Sequence, residues 1–182
     1  FGAEEFGNKE VIYKKTVING NANMIVVNLE DNRDITNMVF ATMYIRKLYP
    51  NTALGLYMLY MPYSRMDREI NDQIFSLELM AELINTLKFD KVIVLDPHSE
   101  VTTKLINNVA LIDINYYVKK AIAEFEPDLL FFPDKGAAKK YPQVLDMRGI
   151  PYFYGNKVRD LKNKGELINY KIIKNGQKPE GK

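Results

Sequence analysis

The sequence predicts an α/β chain with a parallel sheet and flanking helices, one whole lobe and part of a second. Leu54 to Leu59, Val92 to Leu95 and Leu129 to Phe132 are short continuous apolar runs, the pattern of strands buried on both faces. Stretches with apolar residues at helical spacing alternate with those runs, which is the signature of strand–helix–strand units and a parallel sheet. Each run is followed by a polar, charged stretch, as at the carboxyl edge of an open α/β sheet, where ligands bind. At 182 residues and 47% apolar content, the chain is long enough to bury one core and begin another.

Taken in order, Glu10 to Thr16 and Met24 to Asn28 read as two antiparallel strands, because Asn19-Gly20-Asn21 between them tolerates the positive φ of a hairpin turn. Asp34 is a plausible N-cap for a helix in which Met38, Ala41, Ile45 and Leu48 share a face, and Pro50 ends it. The run Leu54 to Leu59 is the first buried strand. Ile74, Leu77, Ala81 and Ile84 define a second amphipathic helix, and Val92 to Leu95 a second buried strand. Near Asp113 the alternation starts again, which places a domain boundary there. Val118, Ile122 and Phe125 line a helix that Pro127 stops, and Leu129 to Phe132 is the third buried strand. Gly136 to Met147 is a further helix candidate, and Tyr152 to Tyr154 a short strand. Gly155 to Gly165 is polar and glycine-bounded, hence a loop, and Glu166 to Ile173 is a strand in a hairpin.

Composition excludes several classes. Lys and Arg number 25 against 23 Asp and Glu, a net charge of +2, so there is no general field toward nucleic acid or an anionic membrane. With no cysteine and one histidine, neither a disulfide framework, a thiolate zinc site nor a multi-histidine metal cluster can be built. The longest apolar run holds about ten residues, half of a bilayer span. The N-terminal residues carry no signal-peptide pattern, and a cytoplasmic protein is expected.

Chemistry is sought at the strand ends. After the first buried run come Arg65, Asp67 and Arg68; after the second, Asp96 and His98; after the third, Asp134 and Lys135. Hard metal ligands and guanidinium groups are what a metal-bound polyphosphate needs. Each has a structural alternative: Arg65 to Glu69 as a solvated loop, His98 as a hydrogen-bonded surface residue, Asp134 as a helix cap, Lys157 and Arg159 as surface cations. No glycine-rich phosphate loop of the P-loop or dinucleotide kind is present.

Five segments, in order, resemble the ribose-phosphate pyrophosphokinase (PRPP synthetase) family. Phe6-Gly7-Asn8-Lys9-Glu10 is similar to its F-x-[ND]-x-E segment, and Pro62-Tyr63-Ser64-Arg65-Met66-Asp67-Arg68 to its P-Y-x-R-Q-D-[RK] stretch. Val94-Leu95-Asp96-Pro97-His98-Ser99 resembles its strand ending in D-L-H-[AS], and Phe132 to Lys139 its S-P-D-x-G-[GA]-x-[KR] turn. Lys157-Val158-Arg159 falls where the family has a mobile K-x-R loop.

The resemblance implies a type I phosphoribosyltransferase-like, Rossmann-like fold: an ATP-binding domain over 1–113 and an incomplete phosphoribosyltransferase-like domain over 114–182, with a flexible catalytic loop near 155–165. It implies transfer of diphosphate from Mg-ATP to ribose 5-phosphate, giving PRPP and AMP for nucleotide biosynthesis. By motif, Arg65, Asp67 and Arg68 would hold ATP, and Phe6, Asn8 and Glu10 would reach the adenine of a neighbouring subunit in a homo-oligomer. His98 and Asp134 would organise Mg2+, and Lys157 and Arg159 would act on the transferring group. Two positions depart from the pattern, Met66 for glutamine and Pro97 for leucine. The family's first strand and helix and its D-D-x-x-D/S-x-G-G/A-T ribose-phosphate loop have no counterpart here. The chain is therefore expected to be a fragment with little synthetase activity alone, the alternative being a nonenzymatic synthetase-associated regulatory or nucleotide-binding protein.

Overall fold

A computed structural model describes residues 3–8, 10–13, 24–141, 149–160 and 166–175. The chain divides into two compact units, Phe1–Asp113 and Ile114–Lys182.

The first unit opens with a two-stranded antiparallel ribbon, β1 (Ala3–Glu5) and β2 (Val11–Tyr13), in the register Ala3 to Tyr13. It continues through β3 (Met24–Val27), α1 (Asn32–Leu48), β4 (Gly55–Met58), α2 (Ser76–Thr86), β5 (Lys91–Leu95), α3 (Val101–Leu105) and β6 (Val109–Ile112). The four later strands form one parallel sheet in the order β3-β4-β5-β6. The expected hairpin between residues 10–16 and 24–28 is corrected here. The β2 strand pairs with β1, and β3 pairs in parallel with β4, because Ile25 and Val27 pack into the core only from that position. The Asn19-Gly20-Asn21 turn lies outside the described residues.

Register explains the core. Ile25, Leu56, Val92 and Val109 stand in one row across the sheet, and Val27, Met58 and Val94 in the next row on the same face. Against them pack Met38 and Ile45 of α1, Leu77, Met80, Ala81 and Ile84 of α2, and Val101 and Leu105 of α3. All three helices thus cover one face, as crossovers of one hand between sequential strands require. Leu56 and Met58 are wholly buried, each contributing about 1.5–3 kcal/mol by the apolar area it removes from water.

The α1 helix begins a turn earlier than expected. Asp31 is the N-cap, its carboxylate accepting from Arg33 N (2.7 Å) and Asp34 N (3.1 Å). Asp34 closes the box, accepting from Asp31 N at 3.2 Å. At the other end, Leu48 is exposed, outside the buried stripe of Met38, Ala41 and Ile45. Arg46 donates to the Lys88 carbonyl just beyond α2, which ties the last turn of α1 to the segment that follows α2. Ile74, expected within α2, precedes it and is exposed.

The second unit comprises α4 (Ile114–Phe125), β7 (Leu130–Phe132), α5 (Lys135–Lys140), β8 (Tyr152–Asp160) and β9 (Glu166–Asn175). Its sheet runs β7-β8-β9, the first pair parallel and the second antiparallel. Ile122 is the buried residue of α4, and Phe125 is exposed. The core here is aromatic: the Phe132 ring meets Tyr152 edge-on at 5.8 Å and stacks on Tyr141 at 6.5 Å. Gly155 of β8 lies beneath the Tyr170 ring of β9, and a Cβ there would run into that ring.

Candidate functional site

Because β4 and β5 are parallel neighbours, the loops that follow them leave from the same sheet edge. The Arg65–Asp67–Arg68 loop and the Asp96–His98 loop are therefore brought side by side by topology alone. Both contain a non-glycine residue in the left-handed region, Tyr63 at φ 58° and Asp96 at φ 43°. Such conformations cost on the order of 1–3 kcal/mol and cluster at ligand sites. An aspartate tolerates it more readily than a tyrosine.

Backbone bonds fix the first loop. Met66 N donates to the Tyr63 carbonyl at 2.9 Å, and Leu77 N, in the first turn of α2, donates to the Met66 carbonyl at 3.2 Å. Phase of the helix is thereby tied to the loop, since the N-cap Phe75 offers no side-chain acceptor and an orphan N–H of the first turn is satisfied by Met66 instead. The Tyr63 hydroxyl reaches Asn32 Oδ1 at 2.8 Å, anchoring the loop to the start of α1. Asn32 is a positioning residue that the sequence left unmarked. Ser64 is buried beneath the loop, while Arg65 and Arg68 are exposed. Arg68 Nε lies 3.8 Å from Asp67 Oδ1, with the guanidinium exposed and the carboxylate largely covered, so this long contact leaves the Arg68 guanidinium available to a ligand.

In the second loop Pro97 is buried and His98 exposed at the sheet edge. The proline pins the backbone beside the left-handed Asp96, and the imidazole faces solvent. The Ser99 hydroxyl oxygen that follows is buried and has no hydrogen-bond partner among the described residues.

At the N-terminal ribbon, Phe6 N donates to Glu10 O at 2.9 Å, and Glu10 N to Asn8 Oδ1 at 3.1 Å. This closes the turn between β1 and β2 and leaves Phe6, 57% exposed, at its tip with Asn8 and Glu10 also exposed.

In the second unit Asp134 is the N-cap of α5, its Oδ1 accepting from Ala137 N at 2.9 Å. Lys157 and Arg159 do not lie in a loop as expected. They belong to β8, paired with Tyr170 and Leu167 of β9, with a bulge between Val158 and Arg159. Their polar sequence reads as a loop because the ribbon buries little: Tyr170 and Ile172 on the partner strand are exposed. The side chains of Lys157 and Arg159, and residues 161–165, lie outside the described residues.

Among the described residues, no group of three or more His, Asp or Glu side chains is gathered to hold a metal. A preformed cage is thus not part of the described structure. Magnesium that arrives on a polyphosphate needs only one or two protein carboxylates. No described helix is long and apolar enough to cross a membrane.

No family model matches the sequence, and no curated protein matches it. The structure does have a solved counterpart. It superposes on the crystal structure of phosphoribosylpyrophosphate synthetase from Mycobacterium smegmatis with a TM-score of 0.69 over 94% of this chain. The fold is PRPP-synthetase-like. Identity over the match is 16%, and the chain spans 57% of that structure's chain. A likeness at this identity establishes architecture alone: a parallel α/β sheet flanked by helices.

Proposed function

We propose that this chain is the nucleotide-binding part of a ribose-phosphate diphosphokinase, which moves diphosphate from Mg-ATP to ribose 5-phosphate. The observation that carries the reading is the pairing of two strained, polar loops, Tyr63 to Arg68 and Asp96 to His98, at one carboxyl edge of a parallel sheet, in a fold like that of a PRPP synthetase.

The residue roles follow the motif resemblance. Arg65 and Arg68 bind phosphate oxygens and Asp67 orients them, as charge-assisted bonds to a polyphosphate favour. His98 of the first unit and Asp134 of the second would be the residues that help hold Mg2+, whose charge would neutralise the polyphosphate. The anomeric hydroxyl oxygen of ribose 5-phosphate forms a bond to the β-phosphorus as the bond from that phosphorus to the α,β-bridging oxygen breaks. AMP leaves, and the hydroxyl proton passes to solvent. No side-chain nucleophile is needed, because such transfers depend on positioning and charge stabilisation. Lys157 and Arg159 supply positive charge to the transferring group. Phe6, Asn8 and Glu10, at the tip of the β1–β2 ribbon, would reach the adenine held by a second copy in a homo-oligomer.

Calorimetric titration with ATP tests the reading. Binding is expected only with Mg2+, with Arg65→Ala and His98→Ala each weakening it at least about tenfold, or about 1.4 kcal/mol. Equal affinity with and without Mg2+, or in both variants, would overturn it.

A further inference from the structure

The second unit holds a cleft of about 200 Å3 along the side of α5, lined by Lys135, Ala138, Lys139, Tyr152 and Tyr154. Its walls follow from period and register. Lys135, Ala138 and Lys139 are spaced three and four apart in α5 and so share a helix face. Tyr152 and Tyr154, two apart in β8, project from one face of the sheet, and Phe132 of β7 is the register partner of Tyr154 on that face. Ala138 is buried and the two tyrosines are half-buried. A methyl group at position 138 leaves open a space that a longer side chain would fill.

The lining limits the occupant. Tyrosine rings, the Ala138 methyl and the aliphatic stems of the lysines make an apolar wall, and the polar groups are ammonium ions and phenol hydroxyls. That is the make-up of a small-molecule site, mostly apolar with a few polar groups that fix orientation. At about 200 Å3 the cleft falls below the roughly 300–1,000 Å3 that drug-sized ligands occupy, so it has room for one ring and a substituent. Aromatic walls favour a flat ring.

The lysines set the charge. The α5 helix contains Lys135, Lys139 and Lys140 and no acidic residue. Lys140 lies over the Tyr141 ring at 5.9 Å, whereas Lys135 and Lys139 have no ion-pair partner among the described residues. Asp134, the adjacent carboxylate, is turned to the Ala137 N–H. Like charges four apart on a helix oppose each other, and an anion between them removes that opposition.

We propose that this cleft binds a small aromatic acid, a single planar ring set against Tyr152 and Tyr154 with its carboxylate between Lys135 and Lys139. The site lies wholly within the second unit, and the inference is independent of the nucleotide reading.

Benzoate titrated into the isotope-labelled chain and followed by amide NMR shifts tests it. Saturable binding is expected at about 1 mM or tighter, within the efficiency bounds for a ligand of about nine non-hydrogen atoms, with shifts centred on α5 and β8. Acetate keeps the charge without the ring, benzamide the ring without the charge, and cyclohexanecarboxylate the charge and bulk without the planarity. Each should bind at least about threefold more weakly than benzoate. Lys135→Gln and Lys139→Gln should each weaken benzoate by at least about threefold, and Ala138→Leu, which fills the cleft and keeps both charges, should abolish binding. Circular dichroism confirms that each variant is folded, and the lysine variants decide the matter if Ala138→Leu does not fold. No saturable benzoate binding, equal affinity for any of the three other probes, shifts centred away from α5 and β8, or full affinity in both lysine variants or in folded Ala138→Leu would overturn the proposal.

Discussion

The Asp134 carboxylate accepts a hydrogen bond from the Ala137 N–H at 2.9 Å, so the residue proposed above as a magnesium ligand also caps a helix. The two roles separate on substitution. Asp134→Asn keeps a good cap, whereas Asp134→Ala removes it at about 1 kcal/mol. The expected result is near-unchanged thermal stability in Asp134→Asn, together with a loss of Mg2+-dependent nucleotide affinity of about tenfold or more. Unchanged affinity in Asp134→Asn would confine the residue to capping.

The reciprocal box at the start of α1 gives a second expectation. Asp31 holds two backbone N–H groups of the first turn and Asp34 holds that of Asp31. Asp31→Ala should cost about 1–2 kcal/mol in urea unfolding, while Asp31→Ser should cost a fraction of that. Because the pair acts as one unit, Asp31→Ala and Asp34→Ala should be non-additive in the double variant.

Asp96 is held at φ 43°, where glycine is relaxed. Asp96→Gly should be neutral or stabilising by up to about 1 kcal/mol, through relief of that strain offset by greater freedom in the unfolded chain. Nucleotide binding, measured in the same variant, should nonetheless weaken. A variant that gains stability and keeps full affinity would show that the strain serves no ligand.

Tyr170 lies over Gly155, leaving no room for a side chain there. Gly155→Ala should push the ring outward and destabilise the second unit by about 0.5–1.5 kcal/mol, the cost of an off-rotamer aromatic. Since Tyr170→Ser removes the obstacle, a double-mutant cycle on thermal unfolding should show coupling. Independent effects would mean that the ring contributes nothing at Gly155.

Legibility followed burial. The strands β4 and β5 and the inner faces of α1 and α2 were readable because Leu56, Met58, Val92, Val94, Met38, Ala41, Leu77 and Ile84 are all buried, and burial imposes a period on the sequence. The α3 helix, five residues long, and β6, four residues long, are too short to display one and were not anticipated. The strand end at Lys157 to Asp160 read as a loop for the converse reason, since its partner strand exposes Tyr170 and Ile172. At the site, the identities of Arg65, Asp67 and His98 were visible from their positions after buried runs. The left-handed backbone at Tyr63 and Asp96 was not, because neither residue type advertises it, and the Tyr63–Asn32 bond joins positions 31 apart with no local signature.

The spatial sequence β3-β4-β5-β6 has a consequence for biogenesis. Every strand of that sheet docks beside the one synthesised just before it, so nascent chain leaving the ribosome meets its partner after a single helix. A parallel pair cannot close over less chain than one such crossover, so each edge is covered as early as this topology allows, and the first unit can mature while the codons of the second are still being read.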